Sequence, residues 1–252
     1  MDRSSLLGII IAFGGIALGN FLEGGHFGAL IQLTAAIIVF GGTLGATLLN
    51  STTRDLRAAK KMLRYAFRDD HVPSKAKLIE EIVSLSVVAA KEGPVALEKK
   101  LGALSHPYMK TVFRFVVDGI DPSQMKEIME DQISIEEEQK LAGAKVFADA
   151  GAYAPTIGIL GAVLGLIHIM ANLTDTSSLG SGIAVAFVAT IYGVASANLL
   201  FLPISNKIKR KVYEESNIQE LILAGALGVT RGIYPSLLRE KLFAFRAGEQ
   251  IA

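Results

Sequence analysis

Residues Pro155 to Met170 read PTIGILGAVLGLIHIM, a stretch with no aspartate, glutamate, lysine or arginine. It is long enough to enter a membrane, and its small residues are ordered. Gly158, Gly161, Ala162 and Gly165 recur at i, i+3, i+4 and i+7, which places them on one face of a helix. Whatever that face meets, it meets backbone and not side chain.

Outward from this stretch the chain repeats its character. Four blocks, Ser5 to Leu22, Ala29 to Leu49, Tyr153 to Ala171 and Ile183 to Ile204, contain no Asp, Glu, Lys or Arg. Each approaches the ~20 residues that a helix needs to cross ~30 Å of hydrocarbon. The whole chain of 252 residues is 51% hydrophobic and 19% charged, with a mean hydropathy of +0.43. That is the profile of an integral membrane protein. A formal net charge of +1 supplies no basic excess for neutralising phosphates, so nucleic acid is not a partner on this reading. The absence of cysteine excludes disulfides and thiolate metal sites. His26, His71, His106 and His168 are too scattered for a ligand set, so neither a metal nor another cofactor is expected. The N-terminus, MDRSSLLGIIIAFGG, has a signal-peptide outline, but ALGNFLEGG is a weak cleavage site followed at once by another apolar block. It reads as a retained first span.

EGGHF joins the first two blocks and NLTDTSSLG the second two, so each pair is expected to form an antiparallel hairpin. Of the 25 Lys and Arg, Arg3 precedes the first block, sixteen lie between Ser51 and Ala152, and eight come after the fourth block, leaving none in either short connection. Basic residues stay on the cytoplasmic side, so both termini and the large insert are expected inside the cell. The expected fold is therefore an all-α integral membrane protein with four transmembrane helices in two hairpins. Residues 1–50 form the first hairpin, 51–152 a helical cytoplasmic domain, 153–204 the second hairpin, and 205–252 cytoplasmic C-terminal helices.

Within the insert, SKAKLIEEIVSLSVVAAKEG places Leu78, Ile82, Leu85 and Ala89 on one stripe after a Pro73-Ser74 start. SHPYMKTVFRFVVDG opens on a Ser105 cap and closes at Gly119. DPSQ offers Asp121 as N-cap, Pro122 at the first helical position and Gln124 at the capping-box position. No stop intervenes before the third span. A helix from Pro122 to Ala171, interrupted at most near Gly151 and Pro155, would be ~75 Å long at 1.5 Å per residue. NKIKRKVYEESNIQELILAGAL extends the fourth span in the same way, and a last helix is expected from Pro235 to Phe245.

No Ser/His/Asp arrangement, HExxH or Walker loop is present, and no strand precedes the GILGAVLG glycines, so the chain does not read as an enzyme. The glycine strip has two open readings. One is close helix packing through Gly161 and Gly165 in a small-xxx-small pattern. The other is a surface that lines a space occupied by another chain. Ala186, Thr190, Gly193 and Ala197 form a matching strip on the fourth span. His168 reads as a hydrogen-bonded residue near the outer interface or, with a partner acid that this chain does not encode, as a proton relay. Thr190 can bond its own i−4 carbonyl or stand beside an ion path. Lys91, Glu92, Glu98, Lys99, Lys100 and the run Glu136 to Glu138 read as solvated helix faces or as a docking surface.

Several motifs together resemble one family: GNFLEGG after the first span, AAKEGPVALE from Ala89 to Glu98, VVDG ending at Gly119, APTIGILGAVLGLIHIM in the third span, and ATIYG with FLPI around the fourth. In these the chain is similar to the A subunit of the bacterial flagellar stator, the MotA/PomA family of the MotA/TolQ/ExbB superfamily. The resemblance implies a homopentamer in the inner membrane around two copies of a single-span, MotB/PomB-like B subunit that carries the ion-binding aspartate. It implies a rotor partner, the switch-ring protein FliG. It also implies that Gly158, Gly161, Ala162, Gly165, Ala186, Thr190 and Gly193 line the ion pathway, that Pro155 and Pro203 couple ion flow to movement, and that Lys91 and Glu98 engage the rotor. Helix-end kinks are the plainer expectation for the two prolines. Two departures stand out: Ala162 replaces a threonine usual in sodium-type members, favouring protons, and Ala90 replaces a second basic residue. An ExbB/TolQ-like energiser of an outer-membrane system and a passive membrane scaffold are the competing functions.

Overall fold

The computed structural model describes residues 3–68, 73–171 and 176–246. It is helical, with no strand among the described residues. We number the helices α1 (Arg3–Leu22), α2 (Leu33–Asn50), α3 (Thr53–Phe67), α4 (Lys75–Glu92), α5 (Glu98–Leu101), α6 (Pro107–Val117), α7 (Pro122–Ala171), α8 (Thr176–Ser196), α9 (Leu202–Thr230) and α10 (Pro235–Phe243). A π turn, Ala197–Phe201, carries α8 into α9 without a break. Four of the described helices are long and apolar enough to cross a membrane. The connection expected at 172–180 lies partly outside the described residues, as does His71.

The chain forms two compact units, Met1–Asp69 with Gln139–Arg210, and Asp70–Glu138 with Lys211–Ala252. In the first, α2 packs on α8 through Ala35, Val39, Val188 and Ala189. Little apolar area is removed from contact with lipid by residues this small; what they provide is close approach of backbones, the main source of helix association in a membrane. The second span differs from its expected start at Ala29. Phe27–Leu30 is a single 3-10 turn, and Ile31 and Gln32 are extended before the helix begins at Leu33. The letters ALIQL, apolar but for Gln32, conceal this break. A second π turn, Ile37–Gly41, lies within α2.

Sequence reading did not anticipate α3. Its start is a capping box: the Asp55 N–H donates to Thr52 Oγ1 at 3.2 Å and the Thr52 N–H to Asp55 Oδ2 at 2.9 Å. The Thr52 hydroxyl and N–H hold the Asp55 carboxyl below its usual range. Ala59, Met62 and Ala66 are buried. Gly143 of α7 fits against this helix because a Cβ there would stand 2.8 Å from Met62 Cγ and 2.9 Å from the Ala58 carbonyl carbon.

In the second unit, Leu78, Ile82, Met109, Phe113, Met125, Leu221, Ile222 and Leu238 form a continuous core. Each such side chain contributes about 1.5–3 kcal/mol on burial. α4 starts after Ser74 as expected, with the Ser74 Oγ accepting from the Lys77 N–H at 3.3 Å, and of the expected stripe Leu78, Ile82 and Leu85 are buried and Ala89 half-buried. Asp121 Oδ1 accepts from the N–H groups of Ser123 and Gln124, starting α7. Two corners in this unit share one design. In Gly119-Ile120-Asp121-Pro122 and Gly232-Ile233-Tyr234-Pro235 the glycine has φ of +69° and +66°, and the isoleucine N–H bonds a carbonyl five residues back. Proline then begins the next helix.

The start of α6 corrects the Ser105 cap. His106 is the capping residue, its Nδ1 accepting from the Tyr108 N–H at 3.2 Å, because Pro107 occupies the first helical position and leaves the next N–H to be satisfied. Ser105 instead donates its N–H and Oγ–H to Glu81 Oε2, at 3.2 and 2.8 Å. Burial pushes the His106 imidazole below its ordinary 6.5, against the opposing charges of Glu215 and Glu81. Protonation would remove the Nδ1 lone pair from the cap and place a cation at a helix N-terminus. Because the folded pKa is lowered, the stabilisation is complete above about pH 6.5 and is lost as pH falls through the folded value. Thermal unfolding of purified protein between pH 7.5 and 5.5 is expected to show a falling Tm that flattens in His106→Asn, which caps without titrating. Parallel curves would contradict the assignment.

Candidate functional site

The small-residue strips of α7 and α8 face each other. A Cβ built on Gly165 would lie 3.1 Å from Ala186 Cβ, one on Gly161 2.9 Å from Ala189 Cβ, and one on Gly158 2.9 Å from the Ala189 carbonyl oxygen. At Gly193 it would lie 2.5 Å from the Ala154 carbonyl oxygen and 3.1 Å from Gly158 Cα. Gly182 meets Ile169, and Gly151 meets Leu202. These pairs run in opposite directions along the two helices, so the seam is antiparallel. Where backbone rests on backbone, a side chain has no room, which is why the letters are Gly and Ala.

Of the two readings open in the sequence, close packing describes what Gly158, Gly161, Gly165, Ala186 and Gly193 do within this chain: all five are buried in the seam. Ala162 and Thr190 differ. Both are half-buried at its edge, and the Thr190 hydroxyl donates to the Ala186 carbonyl at a long 3.4 Å. Ala189, fully buried between Gly161 and α2, was missed, because the strip read from Ala186 to Ala197 stepped by four and seven past it. His168 lies on the exposed side of α7 near its end.

Neither proline ends a helix. Pro155 is half-buried within the unbroken α7, and Pro203 is exposed at the second position of α9, directly after the π turn. The helix ends expected at these positions are therefore not found: α7 runs on through Pro155, and at Pro203 the π turn passes directly into α9. At Pro203 the cause is local: proline has no N–H to give and its ring crowds the carbonyl of Leu199, so the turn before it widens. Side chains answer some of the backbone there. Asn198 Nδ2 donates to the Val194 carbonyl at 2.9 Å and Ser196 Oγ to the Gly193 carbonyl at 3.1 Å.

Tyr192 had no assigned role in the sequence beyond its place in ATIYG. Its hydroxyl accepts from the Gln32 N–H at 3.2 Å and donates to the Leu30 carbonyl at 2.6 Å, and its ring stacks on Phe40 with centroids 5.8 Å apart. No sequence pattern marks these contacts, which cross about 160 residues.

In the other unit, Lys91 lies in the last turn of α4 and Glu98 at the first position of α5, both exposed, with the turn at Gly93 (φ +87°) between them. Ala90 is also exposed. Among the described residues no three His, Cys, Asp or Glu side chains group as metal ligands.

Comparison with known proteins agrees with this architecture. Residues 100–220 match the model of the MotA/TolQ/ExbB proton channel family, and residues 6–92 match that of the motility protein A N-terminal region. Motility protein A of Bacillus subtilis is 34% identical over 245 residues, covering 97% of this chain and 91% of that protein. Among solved structures, the flagellar MotAB stator complex from Bacillus subtilis superposes with a TM-score of 0.90 at 32% identity, over 99% of this chain and 98% of that one. MotAB of C. jejuni gives 0.89 at 30% identity, over 97% and 96%. On this similarity along nearly its whole length, the chain belongs to the MotA/TolQ/ExbB proton channel family, in its motility protein A branch.

Proposed function

We propose that the chain is the A subunit of a proton-driven flagellar stator, a multi-pass protein of the bacterial inner membrane. Five copies surround two copies of a single-span B subunit, whose aspartate takes up the proton, and the ring turns against FliG on the rotor. The four spans form two hairpins with the termini and the insert on the cytoplasmic side. What supports the reading most is the pairing of full-length similarity to MotAB stator complexes with spans that carry no aspartate, glutamate, lysine or arginine. An ion crossing hydrocarbon needs a titratable carrier. The four spans encode no carboxylate for that role, and on this reading another chain supplies it.

On this reading the buried glycines of the seam, with Ala186 and Gly193, hold two spans close enough to make a thin, smooth wall. Ala162 and Thr190, at the edge of the seam, face the ion route. Ala162 offers no oxygen to replace the water ligands of sodium, a need that proton transfer between carboxylate and water does not share. Pro155 and Pro203 bound the stretch of wall that couples flow to movement, and Lys91 and Glu98 meet the rotor. One charge crossing 100 mV yields ~2.3 kcal/mol, several times RT, enough to bias a step along a surface without traps.

The test is complementation. In a strain lacking its A subunit, with a matching B subunit supplied, this gene is expected to restore swimming that a proton ionophore abolishes and sodium removal leaves unchanged. Restoration that depends on sodium would overturn the ion assignment, and no restoration would overturn the stator reading. An outer-membrane energiser would restore no swimming.

A further inference from the structure

The break before α2 poses a problem that the rest of the chain solves at one point. Ile31 and Gln32 are extended, and Gln32, the residue before the first turn of α2, makes no side-chain capping bond. Irregular backbone close to hydrocarbon persists only where protein satisfies its polar groups. Tyr192 does this with a single hydroxyl, accepting from Gln32 and donating to Leu30, while its ring is held by Phe40. Phe40 in turn belongs to the π turn of α2. The hydroxyl thus has fixed partners on both sides, and a helix so tied is not free to rotate about its axis.

Rotation matters because Thr190 lies only two residues away. At 3.6 residues per turn, Thr190 and Tyr192 project about 200° apart around α8. Tyr192 points to α2, so Thr190 points away from it, toward the edge of the seam. We infer that Tyr192 is a positioning residue of the ion path: by pinning α8 to the broken start of α2, its hydroxyl sets the azimuth of α8 and so aims the Thr190 hydroxyl. The inference rests on the stator reading for the meaning of Thr190, but the geometry it asserts can be measured separately.

The chain has no cysteine, so Thr190→Cys creates a unique thiol. Stator complexes in membrane vesicles carrying Thr190→Cys are labelled with a small water-soluble thiol reagent, with and without Tyr192→Phe, which keeps the ring and removes one oxygen. A second single-cysteine protein, Ser51→Cys, serves as the control. In parallel, with Thr190 intact, the height of single-stator speed steps is measured in tethered-bead motors for wild type and Tyr192→Phe. The expected result is a labelling rate at position 190 changed by about threefold or more, an unchanged rate at position 51, and a step height lowered by about twofold or more. Unchanged labelling at 190 overturns the inference whatever the motors do. Altered labelling with full step height overturns it too, since the aim of Thr190 would then have no consequence. Loss of Tyr192→Phe from the membrane also counts against it, because the hydroxyl would then be a requirement of folding. A wild-type chain that yields no speed steps is the failure of the stator reading alone, and is distinguishable from all of these.

Discussion

Gly193→Val is expected to leave cells that depend on this chain non-motile. The added Cβ would begin 2.5 Å from the Ala154 carbonyl oxygen and 3.1 Å from Gly158 Cα. Both are backbone atoms of α7, so no rotamer change relieves the clash and the two helices must part. Overpacking by even a methylene costs about 1–3 kcal/mol, and valine adds three carbons with a stiff χ1. Parting the seam at its middle also releases Gly158 and Gly161 from their partners. Gly14 of α1, around which a Cβ would meet nothing within 4 Å, is the contrasting site. Gly14→Val is expected to swim. Immunoblots of membranes and swimming in soft agar decide the matter: equal motility of the two variants would contradict the seam as the structural centre of the wall.

An all-or-none effect is expected from the partner. Reconstituted alone, this chain should conduct no more protons than empty vesicles, because Ser5 to Leu22, Ala29 to Leu49, Tyr153 to Ala171 and Ile183 to Ile204 offer no carboxylate on which a proton could rest in transit. Conduction should appear on co-reconstitution with the B subunit and vanish when that subunit's membrane aspartate is changed to asparagine. A pH-sensitive dye inside vesicles under an imposed potential reads both states. Proton flux through the lone chain would overturn the division of labour between wall and carrier.

Much of the architecture was legible because membrane helices announce themselves by length and by the absence of charge. The four spans, the helix start at Ser74, the Asp121 cap and the length of α7 emerge from letters in a row, whereas its continuity through Gly151 and Pro155 was left open. The small strips were legible as strips, but sequence alone left open whether they met one another or a second chain. Gly158 and Gly193 needed the antiparallel register to be paired. Ala189 was passed over because the strip read from Ala186 stepped past it. The Thr52–Asp55 capping box is present in the sequence but sits between apolar blocks whose signal is far stronger. Tyr192 was beyond reach: a phenol that serves the backbone of Leu30 and Gln32 leaves no spacing to read. His106 displaced Ser105 because either residue type can cap, and only the position of Pro107 decides between them.

The π turns at Ile37–Gly41 and Ala197–Phe201 each hold one residue more than ordinary winding would over the same rotation. Such a surplus makes a helix tolerant of shortening at that point alone. With the exposed Ile37 deleted, the turn could close to regular α geometry while Gly42, Thr43 and Thr47 kept their present faces; deletion from a regular stretch would instead swing one side against the other by about 100°. Gly42, which packs against Ile157, and the buried Thr43 and Thr47 would lose their neighbours in such a swing. At Leu199 the tolerance is withheld, because Pro203 would then press its ring on the Asn198 carbonyl in a turn too tight to receive it. Of the two spare residues, the first is thus dispensable and the second is anchored by its proline, so length variation within this lineage is expected to accumulate at the former.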